Sequence, residues 1–374
     1  GRTMALTAAL LNAIGAAIGT DSIATAQDAI FVSNYGGYVT IYALGSRGDV
    51  EPIGTIDGAA TRMDGPTGIA VDSSGRIYVL NEGEGARKGG SVVVFAPGSN
   101  GNVAPIATIS GSNTGIRSPK AIALDYRGNI YVANEEGVPP GPNIERPGGV
   151  SVYPARSNGD VKPTASIRGA DVNMNLCCPC TDTCCGNDTG IQNPYGIAVD
   201  SRSNLYVTST SGCPRSQGES VRVFAAGSDG NVKPSAIISG PHTGLTAPND
   251  VALDSKGDIY VTDYRGRARD GKTIVYKRGS IIVYRPGSSG DAAPMARIAG
   301  PKTGIDWPGK ITVDSKDRIY VSNATVGGQN GTESIEVFDP GSNGDVAPRA
   351  IIVGDSTGLN GIAGMSIGPY RASR

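Results

Sequence analysis

The sequence has little of the material from which many catalytic and metal sites are built. It holds one histidine, one tryptophan and 5% aromatic residues in 374 positions. The single histidine, His242, cannot supply a histidine-based zinc site, and we interpret it as a solvated loop residue. No G-x-S-x-G elbow or phosphate-binding glycine loop follows a strand-to-helix pattern. The sequence therefore offers no complete catalytic motif.

The chain also lacks an excess of charge of either sign. Lysine and arginine number 33 against 34 aspartate and glutamate residues, which gives a net charge of −1. Such a balance supplies no field that would hold phosphate backbones, so we expect no nucleic-acid partner. What is abundant is glycine, with 55 residues, and proline, with 24, without a G-X-Y period. This composition is typical of many short strands joined by tight turns.

One hairpin pattern recurs five times along the chain. Alternating apolar residues lead to an aspartate, a D-x-x-G-like turn follows, and an Ile/Leu-Tyr-Val run forms the next strand. The copies are PTGIAVDSSGRIYVLN from Pro66, PKAIALDYRGNIYVAN from Pro119, PYGIAVDSRSNLYVTS from Pro194, PNDVALDSKGDIYVTD from Pro248 and PGKITVDSKDRIYVSN from Pro308. The repeated aspartates are placed to cap backbone N–H groups of the turn, and we do not assign them a catalytic or metal role.

A second hairpin follows each copy, as in SVVVFAPGSNGNVAPIATISG from Ser91, so one unit has four strands and matches a propeller blade. A sixth unit is divided between the two ends of the chain. Its second strand begins at Ala29, its outer hairpin at Val39 and its first strand at Gly361. The sequence therefore predicts an all-β, six-bladed β-propeller of four-stranded blades over residues 28–374, closed by one C-terminal strand pairing with three N-terminal strands.

With these repeats the chain resembles the NHL-repeat propellers and, more distantly, the regucalcin and gluconolactonase family. The resemblance rests on the motif G-I-A-V-D-x-x-G-x-I-Y-V and implies the fold more than an activity. In the regucalcin and gluconolactonase family, a Glu, an Asn and an Asp hold a divalent cation at the channel mouth. The resemblance extends to Asn249 and Asp250 alone, because no Glu holds an equivalent position and Lys120 and Lys310 add positive charge.

The residues just before each first strand should converge at the mouth of the central channel. The same rim, called here the upper face, should carry the long loops between second and third strands, so we predict a ligand site there. Trp307, with Tyr195 and Tyr264, is placed either to stack on a sugar or peptide or to pack beneath a loop. The predicted ligand-binding residues are Lys120, Tyr195, Asn249, Asp250, Trp307 and Lys310.

All six cysteines should gather on this upper face, in two neighbouring loops. Their C-x-C and adjacent spacings differ from the C-x-x-C pairs of zinc knuckles, so we predict disulfides, with a zinc site as the alternative. They are Cys177, Cys178, Cys180, Cys184, Cys185 and Cys213. We place the three N-x-S/T sequons on the same face, at Asn187, Asn323 and Asn330.

Residues 1–27 form a separate hydrophobic segment. The stretch from Met4 to Ile18 is almost all Ala, Leu, Ile and Gly, and a small-residue A-x-A-like site follows it. This pattern resembles a signal peptide, and the run is short for a transmembrane helix, which needs about 20 apolar residues. We therefore expect a secreted or cell-surface protein without a transmembrane helix. The segment is either a signal peptide retained against its own propeller or an assembly element that docks on other copies.

These observations favour a non-enzymatic extracellular binding or structural scaffold, in which every blade is complete and every catalytic set is incomplete. Its expected partners are other copies of itself, as in an oligomer or filament, or an extracellular protein or glycan, and we expect no cofactor. The alternative is a metal-dependent lactonase-like hydrolase. It would hold one divalent cation, such as calcium, at Asn249 and Asp250.

Deletion of residues 1–27 tests the assembly element. The propeller does not need this segment for closure, because its first recognisable strand begins near Ala29. We expect the truncated chain to be a folded monomer and the full-length chain to form larger particles, as measured by light scattering after gel filtration. Unchanged assembly after the deletion, or a full-length chain that is monomeric at all concentrations, would contradict this role.

Overall fold

Each repeated hairpin folds as the first two strands of a blade, and six four-stranded antiparallel blades surround a central channel in the computed structural model. The prediction of an all-β six-bladed propeller is confirmed. The structure describes residues 26–83, 89–135, 144–145, 148–169, 172–173, 189–210, 219–264, 267–270, 273–276, 278–324 and 333–371. Within these ranges, no helix is long and apolar enough to cross a membrane.

Blades 1 to 3 follow in chain order. Blade 1 begins with β1 (Gln27–Asn34), β2 (Tyr38–Ala43) and β3 (Gly54–Ile56). Blade 2 consists of β4 (Pro66–Val71), β5 (Ile77–Asn81), β6 (Ser91–Phe95) and β7 (Ala107–Ile109). Blade 3 has β8 (Pro119–Leu124) and β9 (Ile130–Asn134), and after the short strand β10 (Ile144–Glu145) it continues with β11 (Gly149–Tyr153) and β12 (Ala165–Arg168). A further short strand, β13 (Val172–Asn173), pairs with β10.

Blades 4 to 6 have the same order. Blade 4 consists of β14 (Asn193–Val199), β15 (Leu205–Thr210), β16 (Ser220–Phe224) and β17 (Ala236–Ile238). Blade 5 has β18 (Pro248–Leu253) and β19 (Ile259–Asp263), then the ribbon of β20 (Arg267–Asp270) and β21 (Thr273–Tyr276), then β22 (Ser280–Tyr284) and β23 (Ala296–Ile298). Blade 6 consists of β24 (Trp307–Val313), β25 (Ile319–Ala324), β26 (Glu333–Phe338) and β27 (Ala350–Ile352). Three 3₁₀ turns between blades span Ala59–Thr61, Pro301–Thr303 and Asp355–Thr357.

The last strand, β28 (Ile362–Tyr370), closes the ring. It pairs antiparallel with β1, from Gln27 opposite Tyr370 to Asn34 opposite Ile362, and so becomes the first strand of blade 1. The Ile362 backbone N–H also donates to Glu333 Oε2 of blade 6 at 2.9 Å. The predicted pairing of one C-terminal strand with three N-terminal strands is confirmed.

A buried aromatic residue at the end of each third strand anchors the core between blades. These six side chains have no solvent exposure; they are Tyr42, Phe95, Tyr153, Phe224, Tyr284 and Phe338. The three tyrosines also donate a hydrogen bond to the carbonyl of a threonine in the loop leading into their own blade, as Tyr284 does to Thr243 at 2.7 Å. Burial of such rings is the main favourable contribution to packing, and each hydroxyl keeps a partner when desolvated.

The repeated aspartates cap the hairpin turns, as the sequence suggested. Asp314 Oδ1, for example, accepts the backbone N–H groups of Lys316 and Arg318, both at 2.9 Å. The same pair of bonds, to the second and fourth residues after the aspartate, occurs at Asp72, Asp125, Asp200 and Asp254. A carboxylate already accepting two backbone N–H groups stabilises the turn.

A belt of contacts runs around the outside of the ring. In each blade, a glycine in the outer hairpin forms a parallel bridge with the last strand of the preceding blade. The bridges are Gly48 to Ile352, Gly101 to Ile56, Gly159 to Ile109, Gly230 to Ile167, Gly290 to Ile238 and Gly344 to Ile298. All six glycines have positive φ, between +68° and +82°, so this hairpin shape favours glycine. The bridges satisfy backbone groups that an edge strand would otherwise leave open.

A substitution in one of these hairpins measures the strength of the belt. Asp345 Oδ1 accepts the Lys302 backbone N–H of the neighbouring interblade turn at 2.7 Å. We expect Asp345→Ala to lower the free energy of unfolding by about 1 kcal/mol in urea denaturation, because that N–H loses its acceptor. The control is Asp339→Ala in the same hairpin, which removes only an exposed ion pair with Arg349 and should cost less than about 0.5 kcal/mol. Equal effects of the two substitutions would contradict a role for the belt.

Candidate functional site

The six first strands line one cavity along the axis of the ring. Its volume is about 250 Å³, and its lining is mainly aliphatic, with residues from β4, β8, β14, β18, β24 and β28. Asp250 and Lys310 are the charged residues of this lining. The cavity is therefore bordered mainly by aliphatic residue types, with one acidic and one basic side chain contributed by neighbouring blades 5 and 6.

A bulge interrupts the first strand of every blade at the mouth. In blade 5, the pairing of β18 with β19 shifts between Pro248 and Val251, so Asn249 and Asp250 fall in the bulge. Similar shifts occur at the same level in the other five blades. Bulges re-aim side chains and are common beside functional sites. Here they present residues at the mouth that are not repeated from blade to blade.

Hydroxyl side chains hold these bulges in blades 4 to 6. Thr208 Oγ1 donates to the Asn249 carbonyl of the next blade at 2.9 Å, and Thr262 Oγ1 donates to the Gly309 carbonyl at 2.7 Å. Ser322 Oγ accepts the Lys310 backbone N–H at 2.7 Å. The backbone at the mouth is thus fixed within and between blades, which keeps its side chains in defined positions.

Asp250 is a bridge between two blades. Its Oδ1 accepts the backbone N–H of Val251, the next residue in the chain, at 3.0 Å. Its Oδ2 accepts the backbone N–H of Ile311 in blade 6 at 3.1 Å. Burial raises the pKa of this carboxyl, while the charge of Lys310 and the two backbone hydrogen bonds lower it. A Cβ atom at Gly196 would lie 2.4 Å from Asp250 Oδ1, so only glycine fits there. One carboxyl oxygen is thus used within β18, and the other joins β18 to β24 of blade 6.

A charged cluster lies beside the bulge of blade 3. The Lys120 ammonium is 3.1 Å from Glu135 Oε2 and 3.5 Å from Glu82 Oε1, and the three side chains are about one quarter to one third exposed. Burial alone would lower the pKa of Lys120, but the hydrogen bonds and charges of Glu135 and Glu82 raise it above its ordinary value. Lys120 therefore stays charged and is held between two carboxylates.

Aromatic side chains continue the mouth through blades 4, 5 and 6. Tyr264 and Trp307 meet with ring centroids 5.3 Å apart and an interplanar angle of 60°. Burial raises the pKa of Tyr195; the charge of Glu135 and the proximity of Tyr264 raise it further, and Lys120 lowers it. Tyr195 thus lies near the charged cluster of Lys120 and Glu135 and also near Tyr264. We call this set the mouth arc; it comprises Glu82, Lys120, Glu135, Tyr195, Tyr264 and Trp307.

The structure places Lys120, Tyr195 and Trp307 of the predicted ligand residues in the mouth arc. Asn249, Asp250 and Lys310 lie in the adjacent bulges of blades 5 and 6. Sequence reasoning missed Glu82 and Glu135 as site residues. The available signal was their position in the chain. Glu82 directly follows the second strand of blade 2, and Glu135 directly follows the second strand of blade 3, whose first strand carries Lys120.

The cysteines, His242 and the N-x-S/T sequons were also singled out in the sequence. All six cysteines, Cys177 to Cys185 and Cys213, lie outside the described residues, as do the sequons at Asn187 and Asn330. His242 lies in an exposed loop, but its ring is paired with Asp291, Nδ1 to Oδ2 at 2.5 Å. The third sequon residue, Asn323, is described: it lies near the end of β25, is 3% exposed, and its amide is used in hydrogen bonds.

Asn323 belongs to a buried polar cluster below Trp307. Its Oδ1 accepts the backbone N–H groups of Asp306 and Trp307 at 2.8 and 2.9 Å, and its Nδ2 donates to Glu336 Oε1 at 3.2 Å. Ser334 Oγ donates to the same Glu336 oxygen at 2.7 Å, and Glu336 Oε2 is buried without a hydrogen-bond partner. Burial raises the pKa of Glu336 to about 7, although the hydrogen bonds from Ser334 and Asn323 oppose the shift.

Comparison with known proteins supports the fold. No family model and no curated protein matches the chain. A protein of unknown function from Bacteroides caccae is 11% identical, with 92% of this chain and 99% of that chain covered and a TM-score of 0.58. The PQQ-bound aldose sugar dehydrogenase of Streptomyces coelicolor is 15% identical over 83% and 91% of the two chains, with a TM-score of 0.47. A protein from Lactobacillus plantarum is 12% identical over 91% and 99%, with a TM-score of 0.48. At 11% identity, the likeness to the Bacteroides caccae protein shows the fold alone.

The raised pKa of Glu336 predicts a pH-dependent stability. Because the folded-state pKa lies above the value of 4.5 for the free side chain, the folded chain favours the protonated form. Its contribution to stability is fully present below pH 4.5 and is lost as the pH rises through about 7. We expect Glu336→Gln to gain up to about 3 kcal/mol of unfolding free energy relative to wild type between pH 4.5 and pH 8, measured by urea denaturation. Glu51→Gln, at an exposed position, controls for the loss of one charge, and a pH-independent difference for Glu336→Gln would refute the assignment.

Proposed function

We propose that this chain is a secreted or cell-surface propeller of the NHL-repeat type, acting as a non-enzymatic binding or structural scaffold. The observation that carries the proposal is the meeting of charged and aromatic side chains from five blades in the mouth arc. Loops over a rigid scaffold are the usual place of recognition. Its expected partners are an extracellular protein or glycan, and other copies of itself in an oligomer or filament.

Several parts of this proposal rest on the sequence. Secretion is supported by the signal-like residues 1–27, and disulfides by the cysteine spacing around Cys177 to Cys185. The NHL-repeat assignment is supported by the five hairpins with a D-x-x-G-like turn and by the split blade that closes the ring. No cofactor is required by a scaffold of this kind.

The alternative, a lactonase-like hydrolase, needs Asn249 and Asp250 as ligands of a divalent cation. The geometry favours the scaffold, because both oxygens of Asp250 accept backbone N–H groups of first strands. Asn249, in turn, supplies its backbone carbonyl to Thr208. A calcium site asks for several oxygen ligands directed at one point, and the observed contacts direct the Asp250 oxygens at strand backbones.

A pair of adjacent substitutions separates the two functions. If Asp250 is a blade bridge, Asp250→Ala should lower the free energy of unfolding by about 1–3 kcal/mol, because the Ile311 N–H is left buried without an acceptor. Asn249→Ala should leave stability nearly unchanged, and calcium chloride should not shift the melting temperature of wild type. Calcium-dependent lactone hydrolysis by wild type, lost in both variants, would overturn the scaffold in favour of the hydrolase.

A further inference from the structure

The mouth arc joins two kinds of chemistry on the two sides of the channel. Aromatic rings from blades 5 and 6 lie on one side, and a charged cluster from blades 2 and 3 lies on the other. Tyr195 stands between them, because it lies in the bulge of β14 and β14 packs between the first strands of blades 3 and 5. The arc therefore offers apolar surface and hydrogen-bonding groups to the same ligand.

The aromatic side presents accessible ring surface. Tyr264 is 37% exposed, and Trp307 is partly buried beside it. At an interplanar angle of 60°, the two rings meet edge to face, so they form a corner and do not cover each other by stacking. A corner of this kind suits a flat, saturated ring with C–H groups on one face, because the negative face of an aromatic ring attracts weakly positive hydrogens.

The polar side supplies fixed donors and acceptors. The Lys120 ammonium has three N–H groups, and its contacts with Glu82 and Glu135 leave acceptor capacity on both carboxylates. Groups that donate and accept at one place match hydroxyls, which do both, and hydrogen bonds to charged groups are the stronger ones. The cluster has two negative charges and one positive charge, so an anionic ligand would be repelled, and a cationic one would compete with Lys120.

We infer that the mouth arc binds a neutral oligosaccharide. One sugar ring packs into the corner of Tyr264 and Trp307, and the hydroxyls of a neighbouring sugar bond to the Glu82–Lys120–Glu135 cluster. This inference rests on the proposed binding function and names its ligand class. The alternating apolar faces and hydroxyl edges of a sugar chain fit an arc that changes from aromatic to charged within one channel mouth.

The single tryptophan makes the test site-specific. Because Trp307 is the one tryptophan of the chain, its fluorescence reports on the arc and nowhere else. The purified full-length protein is titrated with neutral trisaccharides of glucose, mannose and N-acetylglucosamine, with an acidic trigalacturonate, and with a short neutral peptide rich in serine and tyrosine. We expect a saturable fluorescence change with at least one neutral trisaccharide and a weaker one with trigalacturonate.

Variants assign the response to the two sides of the arc. Tyr264→Ala should weaken saccharide binding about tenfold, and Lys120→Met should weaken it by a similar factor. Trp307→Phe keeps a smaller aromatic ring, so calorimetry should find a loss of affinity that is smaller than that of Tyr264→Ala. The matched control is Tyr126→Ala, which removes a tyrosine that is 66% exposed in a hairpin turn away from the arc and should leave affinity unchanged. Melting temperatures show whether each variant is folded.

The outcomes separate the ligand class from the binding function. A Trp307 response to the peptide and to none of the saccharides overturns the oligosaccharide inference and retains a binding scaffold. Silence of both fluorescence and calorimetry with every probe overturns the inference as well. The binding function itself is then judged by the separate calcium and lactone experiment. Saccharide binding that Tyr264→Ala and Lys120→Met leave intact would also overturn the assignment to the arc.

Discussion

Closure of the ring by β28 is the constraint on which the rest of the structure depends. The strand pairs with β1 along its whole length, and Tyr370 at its end contacts Phe31 edge to face at 5.9 Å. At the outer edge, the bridge from Gly48 to Ile352 joins blade 1 to blade 6 a second time. Because β28 also supplies Gly364 and its neighbours to the channel wall, the cavity is complete only when the two ends of the chain have met. Closure therefore determines the channel as well as the stability of the edges.

The same residues that make the scaffold repeat leave room for a site that does not. The turn aspartates, the third-strand aromatics and the belt glycines occupy equivalent positions around the ring. The aspartates and glycines contact backbone groups, and the aromatic rings are buried in the hydrophobic core. The bulges at the mouth differ, because blade 3 places Lys120 there, blade 4 Tyr195 and blade 6 Gly309 and Lys310. Variation at a position that the fold does not specify is where recognition can be built without loss of stability.

The sequence predicted the fold almost completely and the site in part. Repetition of one hairpin allowed the blades to be counted, and the missing first strand at the start of the chain required its partner at the end. Glu82 and Glu135 escaped because they occupy the loop position just after I-Y-V-x-N in blades 2 and 3, where the sequence alone does not show their contact with Lys120. Glu336 escaped for another reason. It occupies the middle of a third strand, where blade 2 has Val93, and only packing shows that a carboxylate is buried there.

Blade 6 links a buried charge to the mouth of the channel. Glu336 Oε1 accepts a hydrogen bond from the side-chain amide of Asn323. Asn323 Oδ1 in turn accepts the backbone N–H groups of Asp306 and Trp307. An apolar residue in place of Glu336 would avoid the desolvation of a carboxyl, as blades 2 and 5 do with Val93 and Ile282. With the carboxyl, the amide of Asn323 has one fixed orientation, because Nδ2 must face the acceptor and Oδ1 must face the strand. The buried carboxyl thus lowers the free energy of unfolding above neutral pH, and the hydrogen bonds of the same cluster fix the backbone position of Trp307.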